Sequence, residues 1–244
     1  MNKILGVIPA RYASTRFPGK PLAMIKGKSM IHRVYEQAFK SKYIDDIIVA
    51  TDDKRILKEV QSFGGNAVLT SKKHKTGTDR IVEVIKNIKC DIVVNIQGDE
   101  PFIKSEVIDS AIKPLIKDRE LNVSTLAVPF SDKINDENKV KVVFDKNNIA
   151  LYFSRSVIPN ISRNTTNVIY YKHLGLYVYR KDFLLKFSRE KQTEIEKAEK
   201  LEQLRMLSMG EKIKIVITKE DSISIDTIKD LKYALIHLNR KGLS

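Results

Sequence analysis

Three cations stand within ten positions near the start of the chain, in the run Ile8-Pro9-Ala10-Arg11-Tyr12-Ala13-Ser14-Thr15-Arg16-Phe17-Pro18-Gly19-Lys20-Pro21-Leu22. Arg11, Arg16 and Lys20 bring charge, Ser14 and Thr15 bring hydroxyl donors, and Gly19 lets the backbone come close to a ligand. A polyphosphate needs such a set. Two unit charges about 4 Å apart gain roughly 4 kcal/mol at an effective dielectric near 20, so several contacts offset much of the desolvation cost. A solvated basic loop has the same composition, and the run by itself leaves both readings open. Two carboxylates extend the chemistry. Asp99, in Asn95-Ile96-Gln97-Gly98-Asp99-Glu100-Pro101, follows a hydrophobic stretch and suits Mg²⁺, which takes one or two carboxylates plus water and phosphate oxygens, although a polar turn after a strand reads the same way. Asp226, in Ser224-Ile225-Asp226-Thr227, precedes a helical pattern. It reads as a second metal ligand or as a helix N-cap, and the residue alone favours the cap.

Other phosphate-binding signatures are excluded. Gly27-Lys28-Ser29 would need a glycine at position 22 to make a Walker A loop, and Leu22 stands there. No G-x-G-x-x-G follows a strand, so no dinucleotide cofactor is expected.

The elements that must position these groups alternate in the first half. Lys3 to Ile8, Asp46 to Thr51, Ala67 to Thr70 and Asp91 to Ile96 read as strands. Between them, Ser29 caps a predicted helix with Met30, Ile31, Val34, Tyr35, Ala38 and Phe39 on its inner face. Lys54 to Phe63, with Ile56, Leu57, Val60 and Phe63 inward, is ended by Gly64-Gly65, and Asp79 to Ile88 follows. The rhythm predicts an α/β fold with a mainly parallel central sheet and helices on both faces. The basic loop then sits beyond a strand's carboxyl end, where open α/β sheets bind ligands. A helix over Ser105 to Leu115 should end or bend at Pro114.

From about residue 121 the pattern shifts to a smaller mixed or antiparallel subregion. Strands are expected over Val123 to Val128, Val140 to Phe144, Ile149 to Phe153, His173 to Tyr179 and Ile213 to Thr218. Asp145-Lys146-Asn147-Asn148 makes a hairpin turn between two of them. Helices are expected over Glu194 to Leu207 and Thr227 to Leu238. The 244 residues read as a single domain, 1–244. About 1–120 carries the alternating pattern, about 121–215 the mixed one, and 216–244 a returning loop and helix.

Net charge is +14, mostly from 32 lysines against 12 arginines spread along the chain. No clustered arm or aromatic-basic stripe appears, so no nucleic-acid partner is expected, and a basic nucleic-acid-binding protein is the distant alternative. A single cysteine, Cys90, allows no internal disulfide and reads as packing. The first residues lack a signal-peptide pattern and no stretch approaches a membrane span, so the expected setting is cytoplasmic with no membrane partner.

The run IPARYASTRFPGKPL resembles the opening of the sugar-acid cytidylyltransferases, specifically the 3-deoxy-manno-octulosonate (Kdo) cytidylyltransferase family. HKTGTDR at 74–80, NIQGDEP at 95–101, TLAVP at 125–129, ALYFSRSVIP at 150–159, YKHLGLYVYR at 171–180, KLEQLRMLSMGEKI at 200–213 and IDT at 225–227 are similar to family segments, in family order. One departure is Ile228, two positions after Asp226, where the family often has proline.

The resemblance implies a Rossmann-like nucleotidyltransferase fold, usually in a homodimer. The implied reaction is transfer of CMP from CTP to Kdo, giving CMP-Kdo and pyrophosphate for lipopolysaccharide biosynthesis. An 8-amino-Kdo or another acidic sugar is the alternative acceptor. By the same resemblance Arg11, Arg16 and Lys20 contact the CTP phosphates, and Thr78, Arg80 and Gln97 lie around the nucleotide. Asp99 and Asp226 hold Mg²⁺, with Lys20, Asp99 and Asp226 as the catalytic set. Arg155 pairs with the sugar carboxylate, since guanidinium binds carboxylate bidentately. His173, Tyr177, Glu202 and Gln203 meet sugar hydroxyls.

Overall fold

A computed structural model describes residues 2–160 and 168–240. The chain divides into two compact units, Met1–Asp109 with Ser222–Ser244, and Ser110–Asp221. Positions 161–167, within a loop given no role above, lie outside the described residues.

In the first unit, β1 (Ile4–Ala10) leads into the basic loop and a short 3-10 helix at Lys20–Leu22. A two-residue hairpin, β2 (Met24–Ile25) and β3 (Lys28–Ser29), precedes α1 (Met30–Phe39). Ser29 caps α1 as expected, its side chain accepting from the backbone N–H of His32. Next come β4 (Asp46–Thr51), α2 (Lys54–Ser62), β5 (Ala67–Leu69), α3 (Gly77–Ile85) and β6 (Ile92–Asn95). Strand β1 pairs in parallel with β4 on one side and β6 on the other, and β4 pairs in parallel with β5. All four residues of β6, and all of β1 except Pro9, are buried. Consecutive strand residues point to opposite faces, so both faces are covered.

Two expectations here need correction. Phe39 is 75% exposed. It lies nine residues beyond Met30, which at 100° per residue puts it on the opposite side of the helix. Helix α3 begins two residues earlier than expected, because Thr76 and Asp79 form a reciprocal capping box.

Helix α4 (Ser105–Lys117) carries Pro114 inside it and still continues to Lys117. A proline costs the hydrogen bond of its own N–H. The Pro114 carbonyl still accepts from Asp118 N–H at 2.9 Å, so the last turn closes.

The second unit contains β7 (Val123–Phe130), β8 (Lys141–Phe144), β9 (Ala150–Ser154) and β10 (Tyr170–Arg180). Then follow α5 (Lys181–Phe187), α6 (Glu194–Glu199), α7 (Gln203–Ser208) and β11 (Ile213–Ile217). Strands β7 and β10 are antiparallel, β11 runs parallel to β7, and β8 and β9 form the expected hairpin. Its turn is held by the Asp145 carboxylate, which accepts from Asn147 N–H and Ile149 N–H, with Asn148 left-handed at φ 57°. The single helix expected over Glu194 to Leu207 is two helices. Lys200 adopts φ 54° and ends α6, and α7 starts afresh at Gln203.

The chain returns to the first unit with α8 (Ile228–Arg240). Ile225 and Ala234 pack with Ile25 and Met30, and partly buried Phe17, Leu231 and Leu235 join them. This cluster backs the loop that carries Arg16 and Lys20.

Candidate active site

A cleft of about 480 Å³ opens at the carboxyl ends of β1 and β6 in the first unit. The loop after β1 turns around the Tyr12 carbonyl, which accepts from Ser14 N–H at 3.0 Å and Gly19 N–H at 2.9 Å. Gly19 has φ 71°, a left-handed conformation that costs glycine little, and a Cβ there would press on the Tyr12 ring at 3.1 Å. The loop is thereby folded back so that Lys20 points into the cleft. Gly98 is needed for a different reason. Its Cβ would lie 3.0 Å from the Pro9 carbonyl oxygen, so only glycine lets the Asp99 loop approach the end of β1 unstrained.

The return segment is tied to the Asp99 loop through its backbone, Ile225 N–H donating to the Asp99 carbonyl at 2.9 Å. That bond carries Asp226 to the same place. Lys20 Nζ lies 2.8 Å from Asp99 Oδ2 and 3.1 Å from Asp226 Oδ1. Arg16 reaches Asp226 Oδ1 from the solvent side at 3.1 Å. The cap reading of Asp226 falls away. Asp230 N–H is accepted by the Thr227 hydroxyl, and Thr227 N–H by the Asp230 carboxylate, so Thr227 starts the helix and Asp226 faces the cleft. This box starts α8 without the family's proline.

Five cations line the cleft, Arg11, Arg16, Lys20, Lys75 and Arg80, against the two carboxylates of Asp99 and Asp226. The excess positive charge suits a polyanion. The N-terminal turn of α3 adds its dipole, with Thr76 and Gly77 on the wall. Gln97 also lines the cleft and donates to Asn95 Oδ1 at 3.2 Å. Arg80 is buried and engaged. It donates to Asp52 Oδ2 at 2.9 Å and to the Thr70 hydroxyl, so part of its guanidinium is spent on holding the loop below it. Thr78 is buried in the first turn of α3 and is not among the lining residues.

The two aspartates fit a hard divalent cation. Their oxygens already converge on one positively charged atom, and two carboxylates leave room for water and phosphate oxygens in an Mg²⁺ shell. Among the described residues no group of three or more His, Cys, Asp or Glu side chains is placed to hold a metal ion, in this cleft or outside it, so these two carboxylates would be its protein ligands of that kind here.

Sequence reasoning assigned no role to His74, which lines the cleft and hydrogen-bonds through Nε2 to the Glu83 carboxylate. Glu83 also accepts from Ser71 N–H at 2.9 Å, and these bonds hold its carboxyl below the usual range. The HKTGTDR segment marked the loop, but nothing local pointed to Glu83 as its anchor. Asp52, the partner of Arg80, was missed likewise.

The second unit holds the residues expected to meet a sugar. The His173 ring lies 5.1 Å from Phe153 and 5.3 Å from Tyr177, centre to centre. The backbone register shifts by two residues between them, since His173 stands opposite Ala127 and Tyr177 opposite Thr125. An even shift keeps both on one face. The Thr125 hydroxyl has one proton, which goes to the Leu176 carbonyl at 2.7 Å. It therefore accepts from His173 Nε2–H at 3.0 Å, which fixes the tautomer. Burial pushes the imidazole pKa down to about 3. Tyr177 is buried with its hydroxyl unpartnered among the described residues, and burial raises its pKa well above 10.

Arg155 does not present a free fork. Its Nε donates to the Glu199 carbonyl and its Nη1 to the Glu137 carbonyl, each at 2.9 Å. The Glu199 carboxylate in turn accepts from Ser154 Oγ and Arg155 N–H. Glu202 accepts from Arg205 Nη2 at 3.1 Å, and Gln203 is buried at the start of α7. The structure thus brings His173 and Tyr177 together, while Arg155 and Glu202 are committed to neighbours of their own.

A cytidylyltransferase family model matches residues 5–213. The chain is 48% identical to the 3-deoxy-manno-octulosonate cytidylyltransferase of Geobacter metallireducens, with 98% of each chain covered. It is 47% identical to the enzyme of the same name from Fusobacterium nucleatum, with 99% of each covered. The chain belongs to the 3-deoxy-manno-octulosonate cytidylyltransferase family. A solved member of this cytidylyltransferase group, a CMP:2-keto-3-deoxy-manno-octonic acid synthetase complexed with CTP, superposes with a TM-score of 0.94 at 40% identity, covering 98% of this chain and 99% of that one. A 4-diphosphocytidyl-2C-methyl-D-erythritol synthase from Anaerococcus prevotii, at 19% identity and a TM-score of 0.66, shares the fold. The α/β cytidylyltransferase architecture expected from the sequence is the one found, and the chain is a nucleotidyltransferase enzyme. No helix among the described residues is long and apolar enough to cross a membrane.

Proposed function

We propose that the cleft binds CTP and that the chain transfers CMP from it to Kdo, releasing pyrophosphate. The observation that carries this reading is the convergence of Asp99, Asp226 and Lys20 beside a surplus of cations at the carboxyl ends of β1 and β6. Nucleotide and sugar acid are both anions, so the first physical task is to neutralise charge where they meet. Arg11, Arg16 and Lys20 take the phosphates, and Lys20 stabilises the leaving pyrophosphate. Arg80, held by Asp52, and Gln97 bound the nucleotide. Thr78 supports this side from within α3. Asp99 and Asp226 hold Mg²⁺, which when bound neutralises phosphate charge and lowers the pKa of a coordinated hydroxyl.

The sugar acid is assigned to the His173–Tyr177 face, with Gln203 as a further contact, and Arg155 and Glu202 reach it only by exchanging the bonds they make to Glu199, Glu137 and Arg205. His173 stays neutral at physiological pH and offers hydrogen bonds without adding charge. The unpartnered Tyr177 hydroxyl suits a sugar oxygen. A homodimer in the cytoplasm, supplying lipopolysaccharide biosynthesis, completes the reading.

The test is pyrophosphate release from CTP and Mg²⁺ with Kdo, 8-amino-Kdo and sialic acid offered separately. Release with Kdo, lost in Asp99→Asn, is the expected result. Release only with another sugar would keep the chemistry and replace the acceptor. Folded protein that releases none with any sugar would sink the reading.

A further inference from the structure

Lys20 Nζ touches the same two oxygens, Asp99 Oδ2 and Asp226 Oδ1, that a divalent cation would need. The Lys20 nitrogen occupies the point where those oxygens converge, and an Mg²⁺ ion bridging them at about 2.0–2.1 Å would take that same point, so ammonium and bridging metal compete for it. We propose that Lys20 is an exchangeable stand-in for the metal. In the empty protein it holds the two carboxylates together and keeps a divalent cation out. A nucleoside triphosphate draws it onto phosphate oxygens and opens the carboxylates to the metal. The proposal rests on the cytidylyl-transfer reading of the cleft.

Three features support the exchange. The Lys20 side chain is only 14% exposed, so its charge is held by these carboxylates rather than dissolved in water. Lysine is a compact charge on a flexible four-carbon stem, suited to moving between two sets of oxygens. The acceptors are few, since the cleft carries five cations to two carboxylates, and a triphosphate supplies what is lacking. A ligand that favours the released position of Lys20 raises metal affinity, and by linkage the metal raises the ligand's affinity equally.

Direct contact between metal and phosphate would also couple the two, so the deciding measurement is made without nucleotide. Binding of Mn²⁺ to the full chain is followed by the electron spin resonance of the free ion. Lys20→Met removes the ammonium, and Lys20→Gln removes the charge while keeping a hydrogen-bond donor. Melting curves establish which variants are folded, and each folded variant reports on the exchange. Mn²⁺ binding at least about tenfold tighter than in the unaltered protein, abolished by adding Asp99→Asn, is expected. Unchanged affinity would overturn the proposal, and so would tight binding that survives Asp99→Asn. Turnover of CTP and Kdo by the unaltered protein is measured alongside. Its absence counts against the transfer reading, whereas turnover with unchanged Mn²⁺ affinity removes the exchange alone.

Discussion

The two units use charge in opposite ways. In the first, Arg11, Arg16, Lys20 and Lys75 lie at the cleft outside its α-helices and strands, Arg11 and Arg16 remain exposed, and Arg80 is the buried exception among the cations that line it. In the second, Lys141 is fully buried on β8, and its Nζ donates to the carbonyls of Asp136, Lys139 and Arg155. Burial lowers its pKa, the nearby carboxylates of Asp136, Glu137 and Glu199 oppose that shift, and the three carbonyls take its hydrogen bonds. Arg205 is likewise buried, paired with Glu196 at 3.0 Å and lying over the Phe187 ring. A charge kept at a cleft is available to a ligand, while a charge sunk in the fold is spent on holding the chain.

Four substitutions test that contrast. Asp226→Asn should cost activity about 10³-fold, roughly 4 kcal/mol in kcat/KM, with little change in melting temperature. Steady-state kinetics and a thermal melt together decide it, and a large fall in melting temperature would blur the distinction between the units. Lys141→Met should do the reverse. It leaves three buried carbonyls without their donor and should lower unfolding free energy by about 3–5 kcal/mol in urea titration. A stable but inactive Lys141→Met would contradict the structural assignment.

Asp52→Ala stands between these cases, since it frees Arg80 from its ion pair. KM for CTP should rise about tenfold while kcat changes less, because a misplaced positioning group weakens binding first. The smallest effect concerns His173. Its pKa of about 3 in the folded chain is below the usual value near 6.5, so the unfolded chain binds the extra proton between those values. Stability therefore falls as pH drops from about 6.5 towards 3. In His173→Asn that slope, read from urea midpoints at successive pH values, should be shallower by up to about one proton.

Much of the first unit was legible because its strands are short apolar runs separated by helical periods. The limits of β4 match their sequence reading residue for residue. The basic loop was legible because Arg11, Arg16 and Lys20 are close in sequence. What joins Lys20 to Asp226 spans 206 positions, and no local pattern contains it. Family resemblance put both in one catalytic set, Lys20 on phosphate and Asp226 on metal, and did not foresee the bond between them. The second unit was harder. Whether Arg155 offers its guanidinium outward depends on Glu137 and Glu199, and whether α6 and α7 merge depends on the conformation of Lys200. Neither is encoded by residue type at the position itself.

The first unit is assembled from two stretches of chain, with Ser110–Asp221 intervening. Synthesis runs from the N-terminus at roughly 5–20 residues per second, so the second unit leaves the ribosome before the first can be completed. Until Ile225 and Ala234 arrive, the nascent protein has its arginines and Lys20 but lacks Asp226 and the apolar backing of their loop. The ion pair between Lys20 and Asp226 therefore cannot form until the whole of the second unit has been made.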